Sequence, residues 1–128
     1  MRLLLDTHLL VWALGAPHRL SSSARQLIDD PTHQPVFSTA SIWELAIKQS
    51  LARMPGSIDA AAVRNTLLRD GYKELVVLGA HAVAVASLPP IHKDPFDRLL
   101  VAQALVEGLT LLTADGLLAR YPGPVRRV

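Results

Sequence analysis

The 128-residue chain contains no cysteine, which excludes a Cys-based nucleophile or metal cluster and gives no sign of an oxidising compartment. A cytoplasmic setting is therefore expected. No segment approaches the roughly 18 apolar residues of a membrane span. Arg2, the apolar run at residues 9–14 and the small residues near its end loosely mimic a secretory leader, but Asp6 and His8 fall where its apolar region should be. No membrane partner is expected. Charge of one sign is also scarce: a net charge of +2 permits an anionic partner without demanding one. Repeats, low-complexity tracts and linkers are missing, so residues 1–128 are expected to form a single domain, long enough to bury roughly two thirds of its unfolded surface. What is abundant is apolar side chain, at 50% of residues, with a mean hydropathy of +0.27. That excess predicts an apolar interface. The basic residues are uneven, with Arg120, Arg126 and Arg127 near the C-terminus and Lys93 and Arg98 beside an acid.

Short apolar strands alternate with helices. Strands are predicted over residues 2–5, 36–38, 74–78 and 110–113, with an edge strand over 125–128. The run at 74–78 reads as a strand buried on both faces, which points to a parallel sheet. Helices are predicted over residues 7–14, 21–29, 41–53, 59–70, 80–88 and 97–107. Met54, Pro55 and Gly56 close the third, and Gly71 and Gly108 stop the fourth and sixth. The alternation indicates an α/β sandwich with right-handed crossovers.

Asp6, Glu44, Asp97 and Asp115 lie far apart in the chain, yet each sits where a strand or loop hands over to a helix. Each has a structural explanation. Asp6 and Asp115 fit helix N-caps, Ser41 and Glu44 have the spacing of a capping box, and Asp94, Pro95 and Asp97 read as cap, first-turn proline and first-turn acid. As a set they point further, because the carboxyl ends of parallel strands share one edge where ligands bind. Two carboxylates 4 Å apart repel by roughly 4 kcal/mol at an effective dielectric near 20. Convergence of the four therefore calls for protons or a divalent cation. An oxygen-only donor set favours Mg²⁺ or Mn²⁺ over zinc, and the matching chemistry is phosphodiester hydrolysis of a nucleic acid. Lys48, Lys93 and Arg98 are candidate phosphate contacts, although Lys48 is also placed for a helical ion pair with Glu44.

Four blocks carry a family resemblance: L-L-L-D-T-H at residues 3–8, S-I-W-E-L-A-I-K at 41–48, D-P-F-D-R-L-L-V-A-Q-A at 94–104 and T-A-D at 113–115. Together they resemble PIN-domain ribonucleases, and most of all the VapC toxins of bacterial type II toxin–antitoxin systems. The resemblance implies a PIN-like three-layer sandwich with a central, mainly parallel, short-stranded sheet flanked by helices. It implies Mg²⁺ held by Asp6 and Asp97, with Glu44 and Asp115 completing the pocket and Asp115 reaching the metal through water. Thr7 and Thr113 match residues that orient the pocket, and Arg98 matches a residue serving packing or phosphate contact. The implied reaction is endonucleolytic cleavage of RNA by metal-activated water, and the implied partners are a second copy of the chain and a cognate antitoxin.

Other readings fit less well. His8, His18, His33, His81 and His92 show no metal-pair spacing, and Trp12 and Trp43 lie in helical apolar patterns expected of core. Ser21, Ser22 and Ser23 read as a capping cluster. A phosphatase with Asp6 as nucleophile would want an acid where His8 stands. A receiver-like binding module would want adjacent acids after its first strand and a late lysine. A housekeeping nuclease would keep the same four acids.

Overall fold

The computed structural model describes residues 1–51 and 58–128. Five strands form one sheet in the order β3-β2-β1-β4-β5: β1 Arg2–Leu5, β2 Gln34–Ser38, β3 Lys73–Leu75, β4 Thr110–Thr113 and β5 Val125–Arg127. Every pairing is parallel, so all the carboxyl ends lie at one edge. The chain winds outward from β1 through β2 to β3 and then returns to add β4 on the other side of β1. The strand order thus reverses between β1 and β4, where an open α/β sheet leaves a crevice for ligands.

Alternation along the strands builds the layers, because successive side chains point to opposite faces. Leu3, Leu5 and Leu112 join Leu9, Leu10, Phe37, Leu67 and Tyr72 on one face. Leu4 and Leu111 join Leu100, Val101, Ala104 and Tyr121 on the other. The first face carries helices α1 (Thr7–Gly15), α2 (Ser22–Asp29) and α4 (Ala60–Arg69), and the second carries α6 (Pro95–Glu107). Helices α3 (Thr39–Leu51) and α5 (Gly79–Ala84) complete the element order, with 3₁₀ turns at Pro17–Arg19, Val85–Ser87 and Leu118–Arg120. No helix among the described residues is long and apolar enough to cross a membrane.

Three expectations from sequence change. The strand predicted over residues 74–78 shortens to Lys73–Leu75, and Val76 and Leu78 are exposed. β3 pairs with β2 alone and is an edge strand, so its apolar continuation has no second neighbour to bury it. The third helix begins at Thr39, placing Ser41 inside it rather than at its cap. The predicted stop of this helix at Met54, Pro55 and Gly56 lies outside the described residues. Asp115 opens a turn rather than a helix, since the only helical stretch after it is the Leu118–Arg120 turn. The predicted end of α6 is borne out: Gly108 takes the left-handed conformation, φ 67°, that closes the helix without a Cβ penalty.

Candidate active site

Asp6 leaves β1 at its carboxyl end, and its amide is bonded to the Leu112 carbonyl of β4 at 3.1 Å. Its side chain is buried and doubly held: Oδ1 accepts from the Leu9 amide at 2.9 Å and Oδ2 accepts from the Thr113 hydroxyl at 2.6 Å. Thr113 ends β4, and its Oγ1 accepts in turn from the Asp115 amide at 3.0 Å. One hydroxyl therefore ties the acid after β1 to the backbone of the acid after β4, across the point where strand order reverses. Burial raises the pKa of Asp6 against the opposing pull of the Thr113 and Leu9 hydrogen bonds.

Asp97 stands in the first turn of α6, whose entry is fixed by Asp94 accepting from the amides of Phe96 and Asp97 and by Pro95 at the first helical position. Burial, followed by the neighbouring Asp94 carboxylate, pushes the Asp97 carboxyl up to about 7. His92 pulls the other way, and Asp6 and Glu44 add to the rise. Asp115 is more open. Partial burial alone would raise its pKa, but the hydrogen bonds from His92 and the amides of Leu117 and Leu118 outweigh it and leave the carboxyl below its ordinary value.

Glu44 enters from α3, in its second turn rather than its first. It does not complete a capping box. The Thr7 hydroxyl lies 2.8 Å from Glu44 Oε1 and 2.9 Å from Ser41 Oγ; with one hydrogen to give, it donates to the carboxylate and accepts from the serine. Glu44 Oε2 pairs with Lys48 Nζ at 3.0 Å, so Lys48 forms the helical ion pair.

The closest grouping of potential ligand atoms among the described residues is His92, Asp97 and Asp115, all within 4.8 Å of one another. Asp6 and Glu44 stand outside it, joined to the others by hydrogen bonds and charge. His92 is the site residue that sequence reasoning missed. Its Nδ1 accepts the Asp94 amide at 3.0 Å, which assigns the ring proton of the neutral imidazole to Nε2. Nε2 faces Asp115 Oδ2 at 3.1 Å and Asp97 Oδ2 at 3.4 Å. As placed, the ring is a donor bridging two acids and not a metal ligand.

Arg98 serves packing. Its guanidinium donates to the Pro89 and Val85 carbonyls at 3.0 and 3.2 Å and to the Tyr121 hydroxyl at 2.9 Å, and Tyr121 Oη also accepts the His92 amide at 2.9 Å. Arg98→Ala is accordingly expected to cost about 2 kcal/mol or more through unpaired carbonyls. Urea unfolding checks this; a parent-like midpoint for Arg98→Ala would remove the packing role.

Beside the acids an open cleft of about 230 Å³ is lined by Asp6, His8, Trp12, Ala114 and Asp115. The donor set is dominated by carboxylate oxygen, and burial with the neighbouring acids raises the Asp97 carboxyl to about 7. Both features fit a hard divalent cation, which would relieve the mutual repulsion. Asp6 and Asp115 line the cleft, and Asp97 lies with Asp115 in the close grouping of potential ligand atoms.

A family model described as PIN domain matches residues 3–124. The ribonuclease VapC22 of Mycobacterium tuberculosis (strain ATCC 25618 / H37Rv) is 32% identical over 126 residues, covering 95% of each chain. Among solved structures, VapBC2 from Rickettsia felis, bound to a DNA fragment from their promoter, matches with a TM-score of 0.76 at 16% identity, covering 100% of this chain and 99% of that one. A toxin–antitoxin complex from Klebsiella pneumoniae matches with a TM-score of 0.64 at 16% identity, covering 96% and 94%. At these identities the structural matches speak for the fold.

Proposed function

Because the chain belongs to the PIN-domain family, we propose that it is a Mg²⁺-dependent endoribonuclease, the toxin of a type II toxin–antitoxin pair, hydrolysing RNA at Asp6, Glu44, Asp97 and Asp115. The observation that carries the proposal is the joining of Asp6, Thr113, Asp115, His92 and Asp97 into one group of hydrogen bonds and close polar contacts at the strand-order reversal. The ribonuclease from Mycobacterium tuberculosis, similar over 95% of the chain, supports the substrate class.

A bound Mg²⁺, or Mn²⁺ in its place, supplies neutralisation of phosphate charge and activation of a water for attack on phosphorus. The chain's own residues do the rest. Thr113 and Leu9 fix the Asp6 carboxylate, Thr7, itself bonded to Ser41, fixes Glu44, and His92 holds Asp97 and Asp115 together. No side chain is required as a covalent nucleophile. The test is incubation of the purified protein with a cellular RNA pool in Mg²⁺, in Mn²⁺ and in chelator. Discrete fragments with either metal and none with chelator are expected, whereas cleavage that survives chelator would sink the metal-dependent reading. Inducing the chain should arrest growth, and an adjacent antitoxin gene should relieve that arrest; growth unaffected by induction would remove the toxin role and leave a housekeeping nuclease.

A homodimer belongs to the same reading. Val76, Leu78 and Val83 expose an apolar patch along the exit of β3 and α5, consistent with the apolar excess of the sequence, and a second copy is the occupant proposed. Val83→Glu is expected to shift the protein from dimer to monomer in sedimentation at micromolar concentration. A parent that sediments as a monomer would remove the proposal.

A further inference from the structure

Trp43 was expected in the core, yet it is 62% exposed. The buried face of α3 is made by Ala40, Ser41, Glu44 and Leu45, and position 43 turns away from it. Trp43 instead meets Phe96, ring centroids 5.1 Å apart and planes at 69°. Each ring directly precedes a site acid: Trp43 stands before Glu44 on α3, and Phe96 before Asp97 on α6. Phe96 is half-buried and braces the indole from the side. An edge-to-face pair with so much indole exposed leaves aromatic surface open where α3 and α6 meet, one residue along each helix from Glu44 and Asp97.

We infer that Trp43, braced by Phe96, is a stacking platform for an unpaired base of the RNA whose phosphate is cut at the acids. The inference rests on the ribonuclease reading and adds to it a residue that grips the substrate. Its position supports a nucleobase: a base joined to a phosphate at the acidic site lies one sugar away from it, and the two rings flank two of the four acids. Exposed Lys93, three residues before Phe96, adds positive charge for the neighbouring phosphates. A base is also the occupant that needs only a π-face, which is what the indole offers.

The test uses a fluorescein-labelled, mixed-sequence single-stranded RNA dodecamer, with Ca²⁺ in place of Mg²⁺, and a second dodecamer with the same backbone but abasic ribose throughout. Trp43→Ala is expected to weaken binding of the first by about 5- to 150-fold, while Trp43→Phe and Trp43→Tyr stay within about threefold of the parent, because stacking needs any aromatic face. On the abasic strand the penalty should vanish. Equal binding by parent and Trp43→Ala, or an equal penalty on both strands, overturns the platform. Circular dichroism at the parent level keeps the alanine variant interpretable, since Trp43 contributes little to the core. If Trp43→Ala instead breaks a dimer in sedimentation and leaves RNA binding unchanged, the face belongs to a second copy and the platform falls. A parent that binds the dodecamer through Trp43 yet never cuts RNA in Mg²⁺ would sink the nuclease reading alone.

Discussion

Asp97→Asn is expected to lower metal-dependent RNA cleavage by at least a hundredfold, about 3 kcal/mol of transition-state stabilisation, and Asp6→Asn by as much. The two substitutions differ in what else they disturb. Among the described residues the Asp97 carboxylate makes no hydrogen bond that anchors a strand or helix; its Oδ2 faces His92 at 3.4 Å, so an amide fits the same space and removes only charge. Asp6 uses both oxygens, Oδ1 to cap α1 through Leu9 and Oδ2 to accept from Thr113. An amide nitrogen at Oδ2 would force the Thr113 hydroxyl to turn away. Asp6→Asn should therefore lose stability as well as activity, whereas Asp97→Asn should lose activity alone. Fragment yield per folded molecule, with folded fraction taken from circular dichroism, separates the two. An Asp97→Asn variant that cuts at a third or more of the parent rate would remove Asp97 from the site.

Much of this arrangement is legible in sequence because it is local. The alternation of Leu3, Leu4 and Leu5 over two faces follows from strand geometry, and Asp94, Pro95 and Gly108 mark the two ends of α6 by their backbone preferences alone. Asp6, Asp97 and Asp115 can be placed at a common edge once the strands are read as parallel. The misreadings share a cause: residue grammar that is correct for one element was overridden by another. Ser41 and Glu44 have capping-box spacing, but Thr7, brought in by α1, captures both side chains. Residues 76–78 have strand composition, but β3 lies at the sheet edge and has no outer neighbour. His92 shows no partner at metal-pair spacing because its partners, Asp97 and Asp115, come from α6 and the turn after β4. The only sequence signal for it was its place just before the Asp94 cap, whose amide its Nδ1 accepts. Trp43 fits an apolar helical pattern, yet the buried stripe of α3 runs through positions 40, 41, 44 and 45 and passes it by.

The second large effect concerns stability, and its sign is opposite to that of the activity loss. Asp97 titrates at about 7 in the folded protein against 3.8 for an unperturbed carboxyl. Between those values the folded chain keeps a proton that the unfolded chain has released, so unfolding becomes easier as pH rises. The loss begins above about 4, grows to about 7 and is constant beyond. Roughly three pKa units at about 1.4 kcal/mol each set an upper bound near 4 kcal/mol, and with the side chain 19% exposed about 2 kcal/mol is the working expectation. Asp6, also raised, adds in the same direction, while exposed Asp115, lowered, opposes weakly. In chelator, the parent should melt about 5–10 °C lower at pH 8 than Asp97→Asn, and the gap should narrow as pH falls and close near pH 4, where the unfolded chain also holds the proton. Mg²⁺ should raise the parent's melting temperature more at pH 8 than at pH 5, because the ion binds the ionised carboxylates and must displace protons from the others. Asp97→Asn should lose most of that gain. Parallel melting curves for parent and variant from pH 5 to pH 8 in chelator would show that the fold does not raise the Asp97 pKa. The same residue would then lack the electrostatic tension that makes this cluster a cation site, and the repulsion between the acids would have to be relieved by some other means, with His92 between Asp97 and Asp115 as the nearest candidate.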